Sequence, residues 1–288
     1  HLHEGALIGL IARLFFRKPV LYNAHGTLAD EMAAAGLFPQ GSLPYRFFSW
    51  LEDTIERRVD LVIAQSRMRQ ADYVAKGIEP DRIIVVEDAP LEDYTVEAVD
   101  PALVNRFAPN GEVVVIYTGE LMPYQGVDLI LEAFPTVLNH CPNTALILFG
   151  RPVAPYEDRA KALSGHVFLV DDEPFPRLPQ YLALADIALA VRLYGRNVPG
   201  KLPIYLMAGK AVIGSDTEGV NTVIENGKTG LLAPPTVSAL ADALIRLISD
   251  RPLREQLGRN ALAEARGRYA PEVIRQAMNE AYGRALKK

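Results

Sequence analysis

Between residues 192 and 201 the chain reads Arg192-Leu193-Tyr194-Gly195-Arg196-Asn197-Val198-Pro199-Gly200-Lys201. Two guanidiniums, an amide and an ammonium converging from one loop are what the oxygens of a phosphate require, although each alone would pass for a solvated side chain. A second loop, Tyr117 to Gly126, contains Gly119, which permits close backbone approach. It leads into a helix near Gln125 whose free N–H groups and positive dipole end suit a diphosphate, unless it is a mere turn. A third, Ser215 to Thr222, offers hydroxyls and amides to a sugar, or else simple capping with Thr222 as an N-cap. A fourth, Asp171-Asp172-Glu173, has three carboxylates that are consecutive rather than spaced as ligands, so no metal is expected there. Asp171 then stands either in a solvated loop or beside a nucleobase held by backbone contacts. A fifth, Asn23-Ala24-His25-Gly26-Thr27, ends an apolar run with a histidine: polar capping is one reading of His25, acid/base or electrophilic contact with a sugar hydroxyl the other.

These loops need a scaffold that brings their starts together, and the apolar pattern supplies one. Short runs rich in Val and Ile alternate with segments of helical period, as in parallel strands joined by crossover helices. Strands are predicted at Pro19 to Ala24, Leu61 to Ala64 and Ile83 to Val86. After a break they follow at Val113 to Tyr117, Ala145 to Phe149, Val167 to Val170, Ile187 to Val191, Ala211 to Gly214 and Gly230 to Leu232. Helices are predicted over Tyr45 to Val59, Val127 to Asn139, Pro179 to Ala185, Leu202 to Ala208 (closed by Gly209) and Ser238 to Ser249, with two more at the end. In the first of these, Phe47, Phe48, Leu51, Ile55 and Val59 share one face, expected on the sheet rather than a membrane, while Glu52, Glu56 and Arg57 lie on the other. The opening, His1 to Phe16, reads as a loop running into a helix. Glu92 to Gly111, with Pro101 and Pro109, reads as a linker.

The domains expected are 1–97, a partial α/β domain; 98–270, a second α/β domain; and 271–288, a helix returning to the first. Three strands are few for an open α/β sheet, so a further N-terminal portion, or a second chain, is expected to complete the first domain. In such sheets ligands bind at the carboxyl ends of the strands, where all five loops fall.

With 30 basic and 35 acidic residues and a net charge of -5, the chain lacks the cationic surplus of a nucleic-acid binder. One cysteine, Cys141, forms no internal disulfide. With no signal-peptide pattern or spanning run, the expected address is cytoplasmic, with peripheral contact at the inner face of a membrane allowed.

The order and spacing of the loops resemble the retaining glycosyltransferases of family four, also called group one. His1-Leu2-His3 and Lys18-Pro19-Val20 through Ala24-His25-Gly26 look like that family's acceptor-domain segments. Thr118-Gly119 through Tyr124-Gln125-Gly126-Val127-Asp128 with Ala133-Phe134, Tyr181 to Asp186, Pro199-x-Lys201-Leu202 with Tyr205 to Lys210, and Gly227 to Leu232 look like its donor domain. The resemblance implies a GT-B fold: two Rossmann-like domains with a cleft between them, the N-terminal one incomplete here. It implies transfer of a hexosyl unit with retention from a UDP- or GDP-linked sugar to a saccharide, lipid-linked or other hydroxyl acceptor, in polysaccharide or glycolipid synthesis, with no tightly bound cofactor or metal. On it, His25 and Lys201 are catalytic, and Gly119, Gln125, Arg192, Arg196, Asn197, Pro199, Thr222 and Asp171 join Lys201 in holding the donor.

Three positions depart from the family's pattern. Glu120 stands where an arginine is usual, Gln125 where a lysine is usual, and Ile204 where the sugar-gripping carboxylate would fall. Lys201, with Arg196 or Arg192, resembles a subtype that neutralises the phosphates from another direction. Two other readings follow: a non-catalytic or partner-dependent nucleotide-sugar-binding protein, and a GT-B epimerase or phosphorylase, which would need a further acid/base pair that the sequence does not display.

Overall fold

The computed structural model describes residues 2–23, 27–34, 36–89, 98–163, 165–194 and 197–287. The chain forms two compact units, residues 1–88 with 270–288 and residues 89–269.

Unit 1 contains α1 (Leu2–Phe16), β1 (Leu21–Asn23), α2 (Leu28–Ala34), α3 (Leu43–Arg58), β2 (Leu61–Ala64), α4 (Arg67–Ala75) and β3 (Ile83–Val85). Its three strands are parallel in the order β1-β2-β3. The opening is helical from Leu2, so the expected initial loop is absent; Ile8, Ile11, Leu14, Phe15 and Phe16 of α1 are exposed. Ala6, Tyr22, Ile55, Val59, Val62 and Tyr73 pack on one side of the sheet. Leu61, Ile63, Ile84 and Val86 meet Ala281 on the other.

In α3 the assignment of faces is corrected. Ile55 and Val59 are buried as expected, but Phe47 is 54% exposed and Trp50 60%, whereas Glu52 and Glu56 are 3% and 0% exposed. Helical period counts apolar positions only. It cannot register carboxylates drawn inward by basic partners distant in sequence.

Unit 2 runs α5 (Pro101–Phe107), β4 (Val113–Thr118), α6 (Val127–His140), β5 (Thr144–Phe149), α7 (Glu157–Ala162), β6 (Val167–Val170), α8 (Leu178–Leu184), β7 (Ile187–Ala190), α9 (Lys201–Met207), β8 (Ala211–Ser215), α10 (Glu218–Asn221), β9 (Leu231–Ala233), α11 (Val237–Ser249) and α12 (Arg251–Tyr269). The remaining helix, α13 (Pro271–Leu286), belongs to unit 1 and supplies Ala281. The six strands are all parallel in the order β6-β5-β4-β7-β8-β9, the doubly wound Rossmann arrangement, in which the winding reverses between β4 and β7.

Burial on both faces explains the near-continuous apolar strands. Val115, Tyr117, Leu146, Leu148, Ile187 and Leu189 face α6 and α11. The alternate residues Val114, Ile116, Ile147, Phe149, Ala188 and Ala190 face α5, α8, α9 and α12.

The segment read as a linker holds α5. Asp100 caps it by accepting from Ala102 N at 2.9 Å, Pro101 occupies its first turn, and Leu103 and Phe107, one turn apart, are buried. Proline and acidic residues that suggest a loop are here start signals of a short helix. Residues 92–97, the start of that stretch, lie outside the described residues.

Candidate functional site

The carboxyl ends of β4 and β7 meet at the reversal point of the sheet, and the loops leaving them approach each other. Gly119 leaves β4 with φ +110°, its N–H donating to Phe149 O at 2.9 Å. A Cβ on Gly150 would lie 1.7 Å from the Gly119 carbonyl, so only glycine fits at this junction. Gly126, at φ +75°, packs so closely on Val191 that a Cβ would fall 2.5 Å from Cγ1. Tyr124 O accepts from Leu193 N at 3.1 Å and fastens the two loops together.

Into this junction α9 sends Lys201. Part of the residue is open to solvent, but its ammonium end is tucked 3.6 Å from the centroid of the Tyr117 ring. It lies 3.5 Å from where a Gly119 side chain would begin, and donates to Gln125 Oε1 at 3.4 Å. Burial lowers its pKa, the nearby Arg192 guanidinium lowers it further, and Glu120 opposes both; the result is about 7. An anion arriving at this point would restore the charged form.

Two tyrosines brace the ammonium. Tyr117 donates to Glu120 O at 2.8 Å, fixing the ring that carries Lys201. Tyr205, one turn further along α9, accepts from Thr118 N at 2.8 Å and shares a hydrogen bond with Thr118 Oγ1 at 2.9 Å, which anchors α9 to the end of β4. Neither was picked out in the sequence as a site residue. The available signal was the tyrosine spacing on strand and helix, which reads equally as core.

Glu120 is exposed and its carboxylate accepts from Tyr124 OH at 3.2 Å. Gln125 Nε2 in turn donates to Tyr124 OH at 3.2 Å, and the Arg192 guanidinium lies over the Tyr124 ring at 5.7 Å. The acidic residue that departs from the family pattern is therefore paired within its own loop.

Gly119, Gln125, Arg192 and Lys201 thus come together. Arg192 is held by its backbone, N–H to Ser215 Oγ at 2.8 Å, and by its side chain, Nη1 to Asn197 O at 3.3 Å. Asn197 contributes this carbonyl and is otherwise exposed; Pro199 is buried and its carbonyl accepts from Leu202 N at 2.9 Å, starting α9. Ile204, at the position of the missing carboxylate, packs into the apolar layer.

Thr222 is not an N-cap: it follows α10, and its hydroxyl donates to Gly219 O at 2.7 Å. The residue before α10 is Thr217, whose buried hydroxyl has no hydrogen-bond partner among the described residues. Asp171, just past β6, meets its surroundings through a carbonyl that accepts from Arg151 Nε at 2.8 Å. His25 and Arg196 lie outside the described residues.

Comparison with known proteins bears on what a cation at this junction serves. Residues 1–88 match the family model of the glycosyl transferase 4-like domain, and residues 112–250 that of the glycosyl transferases group 1. The two matches are to glycosyl transferase domains and together span most of the chain. Among its relatives, the D-inositol 3-phosphate glycosyltransferase of Nocardia farcinica is 28% identical over 99% of the chain and 66% of its own length. The alpha-D-kanosaminyltransferase of Streptomyces kanamyceticus is 24% identical over 88% of the chain and 67% of its own length. Against another D-inositol 3-phosphate glycosyltransferase, from Jonesia denitrificans, the share of the relative is 54%, so the chain spans about half to two thirds of the curated relatives it matches.

Among solved structures, Anabaena HepE in complex with UDP and glucose superposes with a TM-score of 0.78 at 21% identity, covering 98% of this chain and 76% of that one. Sucrose-phosphate synthase from Thermosynechococcus elongatus gives 0.77 at 19% identity, over 98% and 71%. These likenesses are of fold: two Rossmann-like domains of GT-B type. No helix among the described residues is long and apolar enough to cross a membrane.

Proposed function

We propose that this chain is a group 1 glycosyltransferase that transfers a hexosyl unit from a UDP- or GDP-linked sugar to a hydroxyl acceptor, with retention of configuration and without a tightly bound metal. The observation that carries the reading is the Lys201 ammonium at the β4–β7 reversal point, tucked against Gly119 with Arg192 nearby. Departure of a nucleoside diphosphate leaves negative charge on its terminal phosphate. A pre-positioned cation and free backbone N–H groups at the start of α6 stabilise that charge more in the transition state than in the bound donor.

Lys201 and Arg192 fill the role that the family pattern assigns to a cation at Gln125, while Gln125 holds the lysine by its carbonyl oxygen. Arg196, Asn197, Pro199, Thr222 and Asp171 complete the proposed donor site. His25 serves the sugar or acceptor hydroxyl. HepE, of the same fold, is described with UDP and glucose, and the relatives named above act on inositol phosphate and in kanosaminyl transfer. Together they support a nucleotide-sugar donor and a polyol or saccharide hydroxyl as acceptor, in polysaccharide or glycolipid synthesis. A membrane-face location and a segment or second chain that completes unit 1 belong to the same proposal.

The test is turnover of a panel of UDP- and GDP-linked hexoses with candidate acceptors, the anomeric configuration of the product being read by NMR. Lys201→Ala is expected to lower kcat by about 10²–10³-fold, the loss typical of removing one charge-stabilising donor. Unchanged turnover in that variant, or an inverted product, would refute the reading.

A further inference from the structure

Unit 1 holds a buried polar cluster that the donor site does not use. His3 of α1 places Nε2 2.7 Å from Tyr22 OH, 3.2 Å from Glu52 Oε1 and 3.8 Å from Glu56 Oε1. Lys76 Nζ lies 2.8 Å from Glu56 Oε2 and 2.9 Å from Asp53 Oδ1. Tyr73 and Arg69 of α4 border the same cluster. His3, Glu52 and Glu56 are all buried, and Oε1 of each glutamate accepts no hydrogen bond of good geometry from the described residues. Burying two carboxylates in this way is costly unless a cation stays with them.

What the cluster grips decides its role. Tyr22 is the middle residue of β1, and the next residue, Asn23, accepts from Gln65 Nε2 at 2.9 Å. On the far side of residues 24–26, Ala29 N donates to Glu52 Oε2 at 3.3 Å. Thr27 Oγ1 and Tyr45 OH donate to the two carboxylate oxygens of Asp30, each at 2.8 Å. A single carboxylate, Glu52, therefore faces the histidine bound to β1 with one oxygen and holds the first turn of α2 with the other. The carboxyl end of β1 and the start of α2 are tied to one charged centre.

The three ligand-type atoms of His3, Glu52 and Glu56 lie within 4.8 Å of one another, as around a metal ion. The Nε2 that would bind such an ion is already at hydrogen-bond length, 2.7 Å, from Tyr22 OH. Lys76 already neutralises Glu56. The arrangement thus favours a proton on His3 over a metal.

We propose that His3 and Glu52 are positioning residues: through Tyr22 and Ala29 they fix the carboxyl end of β1 relative to the first turn of α2, the strand end that leads to His25, to which the proposed function gives the sugar. The inference rests on the proposed function only in the last clause. His3 acts from the far end of α1 and needs no contact with substrate.

The experiment follows Ala29 amide exchange by NMR, with the β2 amides of Leu61–Ala64 as internal reference, and UDP-glucose turnover in the same samples. Glu52→Ala is expected to speed Ala29 exchange at least tenfold and His3→Gln severalfold, with the β2 amides changed less than twofold. Glu52→Gln, which keeps an acceptor, should recover most of the Ala29 protection and tests the idea should Glu52→Ala fail to fold. Turnover should fall tenfold or more in kcat with KM held within twofold. Unchanged Ala29 exchange, β2 exchange rising as much as that of Ala29, or one equivalent of zinc bound by the parent and lost in His3→Gln would each overturn the proposal. His25→Ala is the separating arm: if it turns over UDP-glucose like the parent, the histidine role in the proposed function fails, while Ala29 exchange still decides the role of His3 and Glu52.

Discussion

In unit 2, neighbouring residues of β4, β5 and β7 fill alternate apolar layers, and the donor-site polar groups gather at the strand ends. In unit 1, by contrast, α3 drives Glu52 and Glu56 into the layer beside β1 and β2, and His3 and Lys76 come inward to meet them. Among the described residues, no carboxylate or histidine is buried in unit 2, so its order depends mainly on shape, and Lys201 sits at its rim. A charged interior ties the order of unit 1 to protonation. One sheet is held by packing and the other partly by ion pairing, and they should fail under different insults.

The sharpest break in that contrast is steric. Gly150→Ala sets a methyl group on the Gly119 carbonyl, a collision that only backbone movement relieves. We expect a loss of about 3 kcal/mol, and a transition of unit 2 lowered by roughly 6–12 °C. Amide protection in residues 1–88 should be unaffected; equal loss in both units would show that the two are not separately stabilised.

The second break is by pH. Burial alone would lower the pKa of His3, but hydrogen bonds and charge from Glu52 and Glu56 outweigh it and raise the value from 6.5 to about 9. A group raised in the folded state lends its full stability below its unfolded pKa and loses it as pH climbs through the folded one. The contribution, on the order of 3 kcal/mol, should therefore be complete below about pH 6.5 and gone above about 9. Urea unfolding of unit 1 between those limits should show this slope, and His3→Gln should flatten it. A slope unchanged by the substitution would return the cluster to ordinary packing.

The smallest expected effect lies at Glu120. Its carboxylate is exposed and occupied by Tyr124, so its repulsion of a bound diphosphate is screened. Glu120→Gln should tighten UDP binding by only about two- to fivefold, and less at high salt. A much larger gain would mean that the carboxylate faces the ligand directly.

Much of this was readable in the sequence, for physical reasons that also mark where reading stopped. Val113 to Thr118 and Ile187 to Ala190 are legible because a strand covered on both faces must be apolar throughout. Lys201 was legible because a lysine after Pro199-Gly200, at the start of a helix that follows a strand, has few structural uses. The Glu52–His3 pairing was not, since period alone sends a glutamate to solvent and its partner lies almost fifty residues away. Nor was the Tyr205 hydroxyl on Thr118 N, because a tyrosine on the apolar stripe of α9 reads as core. α5 was lost to its own start signals: Asp100 and Pro101 mark loops and helix beginnings alike, and only the burial of Leu103 and Phe107 tells them apart.

The central claim is that Lys201 is the cation that receives the diphosphate, and calorimetry with UDP at pH 8 in two buffers of different ionisation enthalpy tests it directly. With its pKa near 7 in the empty site, Lys201 is mostly neutral at that pH, whereas UDP is fully ionised. The account predicts uptake of nearly one proton per UDP bound by the parent, and in Lys201→Met loss of that uptake with affinity at least tenfold weaker, about 1.4 kcal/mol. Equal affinity and equal proton uptake in the two proteins would contradict it.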